Sequence, residues 1–377
     1  MQQGKAKPGR IASALRRASL LAGSATMSLG NALVRFGMGR SLWEERVGEA
    51  GPTYEDRISA EIQRYKDVKD VHELPPMFHY WSNRYVRPKL ETVMEVSNPD
   101  AFYVKYIGKY AERHPEQTFE VTSLGAGNAD TEIGIAKSLL DCGVKNFRFR
   151  CLDVNPSMLS RGTELARQCG LADRFVFQEA DLSKWHPEQS TPIVMAHHSL
   201  HHMVPLEQIF ENVRQAIGKD GYFLSCDMIG RNGHMRWPEA LAIVHDLWRT
   251  MPDRYKYNHL LSRYEELYDN WDCSGEGFEG IRAQDILPLL VKNFHFESFV
   301  AYGNLPDVFV DRAFGHNFDT TNPEDTAFID RIATMSDHLI DEGVLKPTQM
   351  AAAMRLEPCA PPRCYKHWTP EFCIRHP

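Results

Sequence analysis

Three stretches of this sequence carry side chains whose types and spacing suit chemistry. In the first, Val121-Thr122-Ser123-Leu124 runs into Gly125-Ala126-Gly127-Asn128-Ala129-Asp130. Glycine lacks a Cβ, so such a run can turn tightly and let a ligand lie against the backbone. It also leads into a helical pattern, whose first N–H groups have no partner within the helix. In the second, Asp153 is followed by Val154 and Asn155, and Asp181 by Leu182. Each acid closes a short apolar run, and a carboxylate so placed can accept hydrogen bonds from the hydroxyls or amino group of a nucleoside. The third is Ala196-His197-His198-Ser199-Leu200-His201-His202-Met203. An imidazole with a pKa near 6.5 suits proton removal at neutral pH, which makes His197, His198 and His201 the candidate catalytic bases. Neutral imidazole is also a common metal ligand. No metal is assigned here, nor to Cys364-x-x-His367 and Cys373-x-x-His376, where Trp368, Pro370 and Phe372 read as packing residues.

The elements around these residues must hold them at one edge of a sheet. From Thr118 apolar runs alternate with helical patterns. The runs 119–124, 147–152, 175–178, 192–196 and 221–226 read as strands. The segments 133–142, 157–169 and 206–217 read as helices, the first two stopped by Gly143 and Gly170. Such alternation predicts βαβ units and a parallel sheet. A further helix over 282–293 and strands over 295–302 and 349–355 follow. In open sheets of this kind ligands bind beyond the carboxyl ends of the strands, where the glycine turn and both acids fall.

On these residues the sequence resembles the class I methyltransferases that use S-adenosylmethionine (SAM). Their first motif is an acid followed by x-G-x-G-x-G. Here Ser123 stands at the acid position and Ala129 at the third glycine, while Gly125 and Gly127 match. The resemblance covers roughly 118–226 and implies a Rossmann-like, seven-stranded α/β sheet with an antiparallel end. It implies that Gly125, Ala126, Gly127 and Asp130 pass beside the methionine part of SAM. Asp153 with Val154 and Asn155 would take the ribose, Asp181 with Leu182 would frame the adenine, and His197 would lie close by. S-adenosylhomocysteine would be the product. A nicotinamide dinucleotide is the competing ligand, but it needs a third glycine where the diphosphate meets the helix. The acids Asp130 and Glu132 there suit an ammonium group better. Two other readings use the same residues: SAM chemistry other than methyl transfer, and a non-catalytic cofactor-binding scaffold.

The predicted layout is a basic arm (1–52), a helical N-terminal region (53–117), the cofactor core (118–228) and a cap insertion (229–281). The core is completed over 282–357 with a second insertion at 303–346, and a tail covers 358–377. Arg231, His234, Arg236 and Trp237 follow the fifth strand and are the candidate acceptor-binding residues, under a cap rich in aromatic side chains. The acceptor is expected to be a small molecule. A net charge of −7 argues against a nucleic-acid partner, which needs a basic face. So does the lack of an Asn-Pro-Pro-Tyr-type signature after the fourth strand. No C-x-x-C pair occurs among the 8 cysteines, as expected in a reducing cytoplasm. Residues 1–43 carry seven Lys and Arg and no acid, a composition suited to a flexible or loosely docked arm, an organelle-targeting peptide or peripheral contact with an anionic membrane.

Overall fold

A computed structural model describes residues 52–65, 73–275, 277–358 and 360–376. The basic arm over 1–43 lies outside them. Residues Tyr54–Pro377 form one compact unit. No described helix is long and apolar enough to cross a membrane.

The predicted strands form because their residues can be buried on both faces. In β1 (Phe119–Leu124) every residue but Glu120 is buried, as a central parallel strand requires. It pairs in parallel with β2 (Phe147–Asp153), which pairs with β3 (Phe175–Glu179). On its other side β1 pairs with β4 (Ile193–His197), which pairs with β5 (Tyr222–Met228). The antiparallel end is β9 (Gln349–Arg355) between β5 and β8 (His295–Tyr302). The sheet has eight strands, in the order β10-β8-β9-β5-β4-β1-β2-β3. That corrects the predicted seven. The extra strand, β10 (Arg363–Cys364), comes from the C-terminal tail and pairs with Ser298–Phe299 at the edge of β8. An exposed edge strand leaves backbone donors and acceptors open, and the tail satisfies some of them. The short hairpin β6 (Tyr257–Asn258) and β7 (Arg263–Tyr264) lies apart from this sheet.

The N-terminal helices are α1 (Tyr54–Tyr65), α2 (Pro76–Trp81), α3 (Arg87–Met94) and α4 (Pro99–Arg113). A π turn over Ser82–Val86 joins α2 to α3. The buried Tyr103 of α4 donates its hydroxyl to Ala196 O and accepts from Cys226 N, both at 3.1 Å. A buried phenol needs such partners, and these fix α4 against β4 and β5. The crossover helices are α5 (Asp130–Asp141), α6 (Pro156–Gln168), α7 (Leu206–Ile217) and, after the first insertion, α9 (Ala283–Asn293). The first insertion contributes α8 (Pro238–Thr250), and the second α10 (Leu305–Val310) and α11 (Pro323–Asp341). Trp248, Tyr255, Phe309, Phe314 and Phe318 are buried, and Trp248 packs on Phe314 with ring centroids 4.9 Å apart. These aromatic residues build the insertions' own core. Tyr264 and Trp271 are exposed.

Candidate active site

The chain runs β1, β2, β3 to one side and then returns to place β4 on the other side of β1. The carboxyl ends of β1 and β4 therefore meet at the switch point, where ligands bind in open α/β sheets. At two positions the turn after β1 has no room for a side chain. Gly125 has φ +71, and a Cβ on it would lie 2.7 Å from Ser199 Cβ. Gly127 has φ +56, and its Cβ would lie 3.0 Å from the Met158 methyl. Ala129, at the third glycine position, is also left-handed with φ 54. The loss of that glycine is thus a change of residue without a change of backbone.

Asp153 holds this turn in shape. Its Oδ2 accepts from Gly127 N and its Oδ1 from Asn155 N, both at 2.8 Å. Burial pushes its pKa up, and the two N–H groups oppose that shift. Asn155 in turn caps α6, accepting from Ser157 N at 3.0 Å. Asp181 accepts from Ser183 N and Oγ at 2.9 and 2.7 Å. It also accepts from the Tyr54 hydroxyl at 2.7 Å. Two further bonds hold α1 to the cofactor core: Asn155 Nδ2 to Ile62 O at 3.3 Å and Arg161 to Tyr65 O at 3.1 Å. Helix α1 thus lies across the ends of β2 and β3.

Behind the turn, the buried Ser123 donates to Glu132 Oε1 at 2.6 Å. The motif's acid position is a serine, and α5 supplies a buried carboxylate beside it. Sequence reasoning noticed Glu132 only as part of an acidic helix start; its spacing of 9 residues from Ser123 was the available signal.

The loop after β4 hangs on one carboxylate. Asp227, fully buried at the end of β5, accepts from Ser199 N at 3.0 Å and Leu200 N at 2.8 Å through Oδ2. Its Oδ1 meets His201 Nδ1 at 2.6 Å. Ser199 Oγ donates to Leu124 O at 2.6 Å, which ties this loop to the glycine turn. His198 sits at φ 48, and His197 Nδ1 is 3.3 Å from the Tyr103 hydroxyl. The far side of His201 faces Glu279, with Nε2 3.4 Å from Oε1. His234 Nε2 is 2.6 Å from the same oxygen. The His202 ring lies tilted against His201 with centroids 4.3 Å apart, and Glu61 of α1 lies 2.9 Å from His202 Nδ1.

This cluster sets its own charges. Burial disfavours the His201 imidazolium, but Asp227 and Glu279 outweigh burial and push its pKa up to about 10. Burial likewise opposes the Glu279 carboxylate, which His202, His201 and His234 hold well below the usual range. His234 shifts the other way: burial lowers its pKa against the pull of Glu279.

Residues 132–225 match the methyltransferase domain family. This stretch is thus identified as a methyltransferase domain. No curated protein sequence matches it. Among solved structures it is similar to a putative sarcosine dimethylglycine methyltransferase from Galdieria sulphuraria, at 16% identity over 74% of this chain and 96% of that one, TM-score 0.38. It is also similar to an O-methyltransferase of a Brevibacillus brevis trans-AT PKS multienzyme in complex with S-adenosylhomocysteine, at 13% identity over 78% and 86%, TM-score 0.41. A third is the DhpI complex with SAH, at 19% identity over 47% and 71%, TM-score 0.30.

The structure places the four candidate acceptor residues in different settings. His234 belongs to the cluster just described. The buried Arg236 donates to Asn304 O at 3.0 Å and His234 O at 2.7 Å and lies 3.3 Å from Asp307 Oδ2. Trp237 is packed by two guanidinium groups, Arg231 at 5.5 Å and Arg375 at 4.3 Å from its ring centre. Glu279 and Asp227 were missed in the sequence. Nothing local marks Glu279, which lies 45 residues from His234.

Proposed function

We propose that this methyltransferase methylates a small-molecule acceptor held between the loop after β4 and the two insertions. The observation that carries this reading is the bond from Ser199 Oγ to Leu124 O, which sets the histidine loop against the glycine turn. SAM supplies an already activated methyl group, so the protein's task is to hold donor and acceptor in line. In this reading the backbone of Gly125, Ala126 and Gly127 passes beside the methionine part, with Asp130 at the helix start. The tight turn fits that role, because any side chain at Gly125 would strike Ser199. Asp153 offers its remaining lone pairs to the ribose hydroxyls, flanked by Val154 and Asn155. Asp181 and Leu182 frame the adenine, and α1 closes over both through the Tyr54 hydroxyl.

His197 and His198 lie nearest the cofactor and face the acceptor. His201 gives its Nδ1 to the buried Asp227 at 2.6 Å, so this ring positions the loop instead of removing a proton. In this reading the insertions close over the acceptor and exclude water, while most of their aromatic side chains pack the insertions' own core. The test is calorimetric titration of the full chain with SAM, S-adenosylhomocysteine and NADH, repeated on Asp153→Ala. Binding of both adenosyl ligands, lost in the variant, is expected. Binding of NADH alone would return the nicotinamide reading.

A further inference from the structure

The cluster beyond His201 is more than a network of ion pairs. His201, His234 and Glu279 each offer one ligand atom, and these atoms all lie within 4.8 Å of one another. Among the described residues this is the one group of three or more His, Cys, Asp or Glu with metal-ligand proximity. Two histidines and one carboxylate are the donor set of catalytic zinc and of non-haem iron(II) sites, which keep a position open for water or substrate. At metal–ligand bonds of about 2.0–2.1 Å, tetrahedral ligand atoms stand about 3.3 Å apart. The His201–Glu279 separation of 3.4 Å already has that length. The His234–Glu279 contact of 2.6 Å would open by about 0.7 Å to reach it.

A second observation points the same way. Ligating histidines almost always give their other ring nitrogen to a carboxylate or carbonyl. His201 Nδ1 is 2.6 Å from the fully buried Asp227, which directs Nε2 at Glu279 and His234. A proton shared between Asp227, His201 and Glu279 is the competing occupant of the same space. The sequence assigned no metal here, because its only visible signal was a run of four imidazoles.

We propose that His201, His234 and Glu279 bind one divalent transition-metal ion of the zinc class, with Asp227 orienting His201. Resting on the acceptor reading above, the ion's open position faces the acceptor and takes an oxygen or nitrogen of that molecule. The same carboxylate, Asp227, fixes Ser199 beside the cofactor turn and His201 at the metal. One side chain therefore sets the distance between the methyl donor and the acceptor's anchor.

The probe is Co(II) added to the full chain after treatment with a chelator. One equivalent should bind, give the intense visible absorption of a four- or five-coordinate ion, and be displaced by Zn(II). His234→Ala and Glu279→Gln should each weaken binding at least tenfold. Asp227→Asn should weaken it about 10–100-fold, as expected for an orienting partner. His245→Ala, whose ring bonds Tyr268 O, should leave it unchanged. Glu279→Gln is nearly isosteric and guards against a folding defect, and circular dichroism checks each variant. Failure of the unaltered chain to take up Co(II), or uptake that survives both His234→Ala and Glu279→Gln, would overturn the proposal. SAM titration of the same samples reports separately on the methyltransferase reading, so either idea can fail without the other.

Discussion

At the scale of single residues, backbone conformation decides more than side-chain chemistry. Gly125 and Ala129 both sit in the left-handed region, but only Gly125 has an atom in the way of a Cβ. Gly125→Ala is therefore expected to lower SAM affinity more than tenfold and to cost at least about 1 kcal/mol in urea denaturation. Ala129→Gly should do the reverse. It removes a left-handed Cβ and should stabilise the chain by about 0.5–1 kcal/mol, with SAM affinity unchanged. Equal effects of the two substitutions would show that the turn tolerates side chains and does not approach a ligand. The glycine turn, Asp153 and Asp181 were all legible in the sequence because each sits at a strand end with its neighbours in consecutive positions. The role of Ser123 was not, since its partner Glu132 reaches back from the following helix.

At the scale of elements, two attachments carry measurable consequences. Helix α1 reaches Asp181 through the Tyr54 hydroxyl. Burial raises the Tyr54 pKa to about 12, so the phenol stays a donor. Losing one such bond costs about 0.5–1.5 kcal/mol, and Tyr54→Phe should speed SAM release by up to about tenfold in stopped-flow fluorescence. No change in release would mean that α1 does not close over the cofactor. The second attachment joins the start of α9 to the start of α7. Arg282 donates to Glu207 at 2.6 and 2.8 Å and to Val204 O at 2.9 Å. Arg282 lowers the Glu207 pKa from 4.5 to about 2. A depressed carboxylate pKa stabilises fully above its unfolded value and loses that contribution as pH falls toward the folded value. The Glu207 side chain is 58% exposed, so solvent screening keeps the contribution below about 1 kcal/mol. The difference in urea midpoint between the unaltered chain and Arg282→Ala should persist above about pH 5 and shrink as pH falls toward about 3. A difference that grew on acidification would rule out the Glu207 pair as its source.

At the scale of the whole molecule, the sequence by itself determined the order of strands and helices and the end of the sheet where the site lies. Those properties are written in short runs: buried strands as continuous apolar stretches, helix ends as Gly143 and Gly170, both with positive φ. The eighth strand escaped that reading, because the two residues of β10 carry no pattern and gain order only by pairing with an existing edge. The insertions escaped it in another way. Their aromatic content was visible, but which rings face one another depends on how α8, α10 and α11 pack, and most face inward. The histidine cluster shows the limit most clearly. Four neighbouring imidazoles were plain in the sequence, yet only the tertiary structure set Asp227 behind His201 and brought His234 and Glu279 before it. Those partners come from β5 and the first insertion, and their approach is fixed by packing between elements distant in the chain. Local sequence records the conformation of each segment. The charge state of His201 and the gathering of a metal-ligand set depend on which segments meet, and burial made those meetings strong.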